Sequence, residues 1–160
     1  MTDWRADRIG AAAAGTNPMV IARMESGFAV IGDTQFLPGY CLLLAYPAVD
    51  HLTDLDLDRR TVFLRDMSLI GEAIERACAG DGLRRINYEI LGNTDHYLHA
   101  HVFPRYEWEP AECSGHSVFL YPRGNWTLPE HQFDEVRHGD LRRSVARHLE
   151  RLMAQASGGR

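Results

Sequence analysis

Three of the chain's eight histidines fall within residues 96–101. From Tyr97 onward the sequence alternates in character, and a period of two is typical of a β-strand. Because successive side chains of a strand point to opposite faces, Tyr97, His99 and His101 are predicted to share one face. The other face would carry apolar side chains: Leu98, Ala100 and Val102. Pro104 has no N–H for the strand ladder, and we expect it to end the strand.

Two histidines at this spacing are compatible with three kinds of role. They can be ordinary polar residues on an exposed strand face. A His-x-His pair on a strand is also a good bidentate metal chelate, although it needs a third ligand, for which His51, His116 or a carboxylate is available. Imidazole titrates near neutrality, which suits acid–base or nucleophilic catalysis. The spacing alone leaves all three open.

The composition excludes several classes of function. A length of 160 residues predicts one domain, spanning 1–160. The net charge of -5 argues against a nucleic-acid partner, since binding to the phosphate backbone needs a basic surface. All 17 basic residues are arginine, so Schiff-base chemistry and a Walker-type phosphate loop, which both need lysine, are excluded. Arginine can still bind phosphate groups in a bidentate way.

The cysteines and the apolar runs indicate the cellular compartment in which the protein is expected. Cys41, Cys78 and Cys113 are odd in number and far apart, which predicts neither a disulfide framework nor a zinc ribbon. We find no signal peptide and no apolar run of membrane-spanning length. A cytoplasmic location without a membrane partner is therefore expected.

The elements around the histidine stretch predict an α+β fold. Apolar periodicity indicates a long helix over about 58–79 and a C-terminal helix from an Asp140 cap to about residue 154. Residues 106–129 are aromatic and rich in Pro and Gly, and we expect an ordered loop with one short strand at 118–121. Strands are predicted from short β-rich or apolar runs at 19–24, 28–31, 40–45 and 84–91, before the histidine strand. The expected architecture is an antiparallel sheet of about five strands, a long helix after the third strand and a C-terminal helix.

The histidine stretch and its context resemble a known family. Residues 97–105, Tyr-Leu-His-Ala-His-Val-Phe-Pro-Arg, resemble the signature of the histidine triad (HIT) family, His-φ-His-φ-His-φ-φ, which is often followed by Pro-Arg. Upstream, residues 28–31, 37–44 and 51–55 are similar to the family's first half in order and spacing. The resemblance covers about residues 19–105, and the aromatic loop and C-terminal helix of 106–160 lie beyond it.

The resemblance implies an activity and an assembly. HIT proteins are α+β homodimers that cleave or transfer nucleoside monophosphates at the α-phosphate, from substrates such as diadenosine polyphosphates, nucleotidyl phosphoramidates or nucleotide sugars. The middle histidine, which corresponds to His99, would form a nucleotidyl–histidine intermediate without any cofactor. The third, His101, would hydrogen-bond the phosphate. A small-molecule nucleotide is thus the expected partner.

The resemblance also implies nucleotide-binding residues. Asn93, with Thr94 beside it, matches a position that often contacts phosphate, and Asn87 matches an asparagine of the preceding strand. Arg105 is a further available donor. The residue that usually contacts the ribose falls at Gly32, so that Asp33 is its nearest substitute, turned to the other face on a regular strand.

The chain departs from the family pattern at the first triad position, where Tyr97 replaces a histidine that supports the nucleophile. A tyrosine hydroxyl can still donate or accept a hydrogen bond, but it does not change charge near pH 7. The family's Lys/Arg-rich stretch after the third strand is also replaced, by residues 46–48. The leading hypothesis is an active HIT-like nucleotide hydrolase with Tyr97 in a supporting role. The alternatives are a nucleotide-binding protein with little catalysis and a metal-binding protein that uses the His-x-His pair.

Overall fold

The structure, a computed structural model, describes residues 3–158, and residues 1–2 and 159–160 lie outside the described part. Its strands are β1 (Val20–Arg23), β2 (Gly27–Ile31), β3 (Cys41–Ala45), β4 (Leu83–Glu89) and β5 (His99–Tyr106). Its α-helices are α1 (Arg8–Ala13), α2 (Leu57–Ala77), α3 (Ala111–Ser114), α4 (Gly124–Thr127) and α5 (Glu135–Gly158). Single turns of 3₁₀ helix lie at Trp4–Asp7, Leu52–Asp54, Val118–Leu120 and Pro129–His131.

The five strands form one antiparallel sheet in the order β1-β2-β3-β5-β4. β5 therefore lies between β3 and β4. In the register of β3 with β5, His99 is opposite Leu44 and His101 is opposite Leu42. Residues that are directly opposite share a face of the sheet, so the two histidines and the two leucines lie on the same side. The predicted α+β fold, with a long helix after the third strand and a C-terminal helix, is confirmed.

One face of the sheet is covered by the two long helices. α2 lies across β3, β4 and β5, α5 contacts β1, and the two helices pack against each other. Phe63 of α2 and Leu149 of α5 are fully buried in this layer, as are Ala100 and Val102 of β5. Burial of each large apolar side chain contributes roughly 1.5–3 kcal/mol. Because Ala100 and Val102 alternate with the histidines, this packing turns the histidines toward the opposite face.

The opposite face is partly covered by the aromatic segment, which we define as residues 107–134. Its main chain is joined to the turn that follows β2. The N–H of Gln35 donates to the carbonyl of His131 at 2.6 Å, and the N–H of Phe133 donates to the carbonyl of Asp33 at 2.7 Å. The segment thus closes over the same end of the sheet to which the histidines point.

The histidine strand does not end at Pro104, as we predict from sequence, but continues to Tyr106. The ladder between β3 and β5 stops at the pair Cys41 and Val102, while Pro104 is paired only with Ile86 of β4. A proline is tolerated in a strand where one side has no neighbour, because the missing N–H then breaks no ladder bond.

Two further elements differ from the sequence prediction. α5 begins at Glu135, and Asp140 lies inside it; the side chain of Asp134 accepts a hydrogen bond from the N–H of Arg137 at 3.0 Å, as an N-cap does. Residues 118–121 form no strand, because Ser117 starts a 3₁₀ turn there by accepting from the N–H of Phe119. Across residues 3–158, none of the helices combines the length and the apolar character needed to span a membrane.

Candidate active site

A cavity of about 320 Å³ opens on the histidine face of the sheet. His99 and His101 form part of its wall, together with Tyr97 and Asp95 from the segment before β5. The neighbouring strands contribute apolar side chains: Val30, Ile31, Leu42 and Leu44. The rest of the wall comes mainly from outside the sheet, including Arg8, Asn17, Asp33, Thr34, Trp126 and Gln132. A cavity of this volume, in which apolar side chains and several polar groups converge, is typical of a small-molecule site.

The imidazole of His99 is held in one tautomer. Its Nδ1 lies 2.7 Å from the backbone carbonyl oxygen of Tyr97. A carbonyl oxygen only accepts hydrogen bonds, so the proton is on Nδ1 and the bond is donated by the ring. When the ring is neutral, Nε2 therefore carries the free lone pair. A neutral imidazole with a fixed tautomer on a rigid strand is the form that a histidine nucleophile requires.

His101 is neutral and is fixed by a residue that the sequence did not single out. Its Nδ1 lies 2.7 Å from the hydroxyl oxygen of Tyr40. Burial raises the pKa of Tyr40 well above its usual value, so the hydroxyl stays protonated. Burial, and secondarily the nearby His99, lower the pKa of His101 to about 3. Within residues 3–158 the Tyr40 hydroxyl has no other acceptor, so it donates to Nδ1 and the imidazole proton lies on Nε2.

Asp33 reaches the cavity, in an ion pair with a second unanticipated residue, Arg8. The two guanidinium nitrogens donate to the carboxylate at 2.6 Å and 3.2 Å, a bidentate arrangement. β2 ends at Ile31, so Asp33 lies in the following turn and is free of the strand alternation that would have turned it away. Arg8 is itself held by Asn17, whose side-chain amide donates to the Arg8 carbonyl at 3.1 Å.

Comparison with known proteins identifies the family. A sequence model of the HIT domain matches residues 16–108, more than half of the chain, and the match includes both histidines of β5. The chain belongs to the HIT family. Among curated proteins, none matches this HIT chain in sequence.

Solved structures of HIT proteins have the same fold. A histidine triad protein from Sinorhizobium meliloti is 17% identical, with a TM-score of 0.69 over 92% of this chain and 96% of that one. One from Marinobacter aquaeolei is 18% identical, with a TM-score of 0.67 over 83% and 89%. A hypothetical histidine triad nucleotide-binding protein from Sulfolobus tokodaii is 17% identical, with a TM-score of 0.64 over 90% and 91%. At these identities the likeness establishes the fold alone.

In this HIT protein, Tyr97, which the sequence resemblance matches to the first triad position, lines the cavity. Its ring centre lies 5.0 Å from that of His99. The contact that orients His99, however, is made by the main chain of Tyr97 and not by its hydroxyl. Burial, and secondarily Asp95, raise the pKa of Tyr97, so its side chain stays uncharged at neutral pH.

The remaining predicted nucleotide-binding residues do not line the cavity. Asn93 and Thr94 are exposed in the turn between β4 and β5. The guanidinium of Arg105 is buried and bonds Glu109 at 2.8–3.0 Å, the side-chain oxygen of Asn87 at 2.6 Å, and backbone carbonyls of the aromatic segment. All five N–H donors of an arginine are thereby used within the protein. The expectation that Arg105 and Asn87 contact phosphate does not fit this placement.

A third metal ligand does not accompany the His-x-His pair. Within residues 3–158, no group of three or more His, Cys, Asp or Glu side chains is arranged to hold a metal ion. His51 and His116, which the metal hypothesis would need, are exposed and do not line the cavity. In its neutral form His99 offers a lone pair at Nε2, whereas His101 offers an Nε2–H donor.

Proposed function

We propose that this HIT protein binds a nucleotide in the cavity and cleaves or transfers its nucleoside monophosphate group, with His99 as the nucleophile. The observation that carries the proposal is the hydrogen bond from His99 Nδ1–H to the Tyr97 carbonyl at 2.7 Å, because it makes Nε2 the nitrogen that carries the lone pair of the neutral ring. Diadenosine polyphosphates and nucleotidyl phosphoramidates are the substrate classes to test first.

The proposed reaction has two displacement steps. The Nε2 lone pair of His99 attacks the α-phosphorus, the phosphorus–nitrogen bond forms, and the bond to the leaving group breaks with its electrons going to that group. Water then attacks the same phosphorus, the phosphorus–nitrogen bond breaks with its electrons returning to Nε2, and the water gives up a proton to the solvent. The monophosphate leaves and the neutral imidazole is restored. In both steps, negative charge develops on the phosphoryl oxygens, and the Nε2–H of His101 is a fixed donor for them.

The rest of the nucleotide would occupy the apolar part of the cavity. Leu42 and Leu44 offer a surface for the base and the ribose. Asp33, paired with Arg8, offers carboxylate oxygens to ribose hydroxyls. Asn93, Thr94, Asn87 and Arg105 have no part in this arrangement. Tyr97 supports the nucleophile through its carbonyl.

A second candidate is a nucleotide-binding HIT protein with little catalysis, which the tyrosine at the first triad position favours. Turnover of a diadenosine polyphosphate and of an AMP phosphoramidate separates the two. We expect the wild-type protein to turn over at least one of them and His99→Ala to abolish that turnover, while His116→Ala, an exposed histidine outside the cavity, has no effect. If His99→Ala turned over substrate at the wild-type rate, His99 would be excluded as the nucleophile. Binding of AMP by the wild type without any turnover would favour the second candidate.

We also propose a homodimer, as the resemblance implies. β1 and β4 are the edges of the sheet, so each offers one unpaired side to a second copy. Light scattering coupled to size exclusion tests this: a mass of twice 18.1 kDa supports the dimer and a mass of one chain excludes it. The cytoplasmic location and the absence of a nucleic-acid partner stay predictions from the sequence.

A further inference from the structure

The ring of Phe119, in the aromatic segment, packs against the imidazole of His101. The two ring centres are 4.9 Å apart and the rings are nearly perpendicular, at 78°. Other rings around this imidazole belong to the sheet or directly adjoin it: Tyr40, His99 and Phe103. Phe119 is thus a contact from outside the sheet, and it also lies outside residues 16–108, which the family model matches.

Phe119 is held in place through the side chain of Ser117. The Ser117 hydroxyl donates to the carboxylate of Glu89, 2.9 Å from its nearer oxygen, and accepts from the N–H of Phe119 at 3.4 Å. Val118, between these two residues, is fully buried. Because Glu89 is directly opposite His101 in the pairing of β4 with β5, the two share a face of the sheet. The anchor therefore starts from the strand position that neighbours the imidazole.

The position of Phe119 keeps the imidazole of His101 away from water. His101 is only 9% exposed, whereas Phe119 is 39% exposed and has one side in the solvent. Phe119 does not line the cavity, so its ring covers the imidazole away from the space proposed for the nucleotide. A buried imidazole resists protonation, because the interior solvates the charged form less well than water does.

The titratable neighbours of His101 do not replace this effect. The hydroxyl of Tyr40 is an uncharged donor to its Nδ1, and His99 disfavours a second positive charge beside it. Glu89 on β4 would favour a charged imidazole, but its carboxylate is turned to the Ser117 hydroxyl. The neutral state of His101 therefore depends chiefly on the exclusion of water.

We propose that Phe119, anchored by Ser117, is a positioning residue for His101 that shields the imidazole from water. Phe119 acts through His101 and not on the nucleotide. The inference deepens the proposed function and rests on it for the use of His101 as a donor to the phosphate. The shielding itself is a property of the protein without a nucleotide.

Nitrogen NMR of the His101 ring from pH 7 to about pH 4.5, without a nucleotide, tests the shielding. In the wild type we expect the imidazole to stay neutral over this range. In Phe119→Ala water reaches the ring, and the midpoint of proton uptake should rise by about two pH units, part of the shift of 3–5 units that full burial can produce. Phe119→Leu retains apolar bulk and should stay neutral. Leu120→Ala, an exposed neighbour in the same turn, is the matched control.

Three results would overturn the proposal. They are an imidazole that stays neutral in Phe119→Ala, an equal rise of the midpoint in Phe119→Leu or Leu120→Ala, and a wild-type ring that is already protonated at pH 5. Dispersion of the amide spectrum shows whether each variant is folded. If Phe119→Ala does not fold, Ser117→Ala, which keeps the ring but removes its anchor, takes its place, and an unchanged midpoint there would overturn the proposal as well.

The NMR measurement needs no turnover, which separates this inference from the proposed function. A raised midpoint in Phe119→Ala, together with no turnover of any nucleotide by the wild type, would support the shielding and reject the hydrolase. Turnover by the wild type with an unchanged midpoint in Phe119→Ala would reject the shielding and leave the hydrolase standing.

Discussion

His99 donates its Nδ1–H to the carbonyl oxygen of Tyr97, two residues earlier, at 2.7 Å. The bond ties the tautomer of the proposed nucleophile to a main-chain atom, which any residue at position 97 supplies. A tyrosine at position 97 is therefore compatible with this orientation of His99.

This relationship predicts that Tyr97→Phe retains activity. The substitution removes the hydroxyl but keeps the ring and the carbonyl that contacts His99. We therefore expect kcat to stay within about threefold of the wild-type value, a change of less than about 0.7 kcal/mol in the activation free energy. Steady-state turnover of the best substrate measures it. A fall of about a hundredfold or more would mean that the hydroxyl takes part in the chemistry.

Tyr40→Phe should affect His101 although it contacts no substrate in our account. Without the hydroxyl, Nδ1 of a buried imidazole loses its donor, and the ring protonation is no longer fixed. We expect kcat to fall by about tenfold, equivalent to roughly 1.4 kcal/mol. Nitrogen NMR of the His101 ring should show protonation shifting from Nε2 toward Nδ1. Tyr88→Phe, on the edge strand β4, is the matched control, and an unchanged His101 spectrum in Tyr40→Phe would refute the assignment.

The face of the histidine strand could be predicted from sequence because alternation along a strand is a local property. Tyr97, His99 and His101 do line one cavity, as expected. Tyr40 could not be found in the same way. It stands at the start of an apolar run, and its partner His101 is 61 positions away. Only the pairing of β3 with β5 brings the two together.

The misplaced features have a similar cause. Pro104 is tolerated because β3 pairs with β5 only as far as Val102. Where this pairing stops depends on the length of β3, which is not a local property of the histidine strand. Arg105 was expected to contact the phosphate, but a buried arginine forms an ion pair with an acidic residue that the tertiary structure places beside it. Here the turn after β5 brings Glu109. Arg8 likewise reaches the cavity through the packing of α1, for which the sequence carries no motif.

The Arg105–Glu109 pair should dominate the stability of the region between β5 and the aromatic segment. Glu109 is fully buried and accepts from Arg105, from the N–H of Tyr106 and from the hydroxyl of Tyr121. Glu109→Gln leaves a buried guanidinium uncompensated, which costs about 3–5 kcal/mol in free energy of unfolding.

Urea unfolding measures this cost, and Glu72→Gln provides the comparison. The Glu72–Arg76 pair is exposed, so its loss should cost less than about 1 kcal/mol. Equal losses of unfolding free energy in Glu109→Gln and Glu72→Gln would contradict the larger contribution that we predict for the buried pair.

His101 should make the protein less stable in mild acid. Its pKa is about 3 in the folded chain against 6.5 as the usual value, so between these pH values the unfolded chain binds the proton that the folded chain does not. Stability from this group is present above about pH 6.5 and is lost as the pH falls below it. At pH 5 the loss relative to pH 7 is about 2 kcal/mol.

Unfolding of the wild type and of His101→Gln at pH 7 and pH 5 isolates that contribution. The variant should lose about 2 kcal/mol less than the wild type over this interval, because it lacks the titrating group. The same pH dependence in both proteins would show that His101 does not titrate as described.

The most direct test of the account is to trap the nucleotidyl group during turnover. Substrate labelled at the α-phosphate is mixed with the protein, quenched in alkaline denaturant, which preserves phosphorus–nitrogen bonds, and the labelled peptide is mapped by mass spectrometry. We predict that the label lies on His99, and that it is absent from His99→Ala. Label on any other residue, or turnover by the wild type with no labelled intermediate and undiminished in His99→Ala, would contradict His99 as the nucleophile.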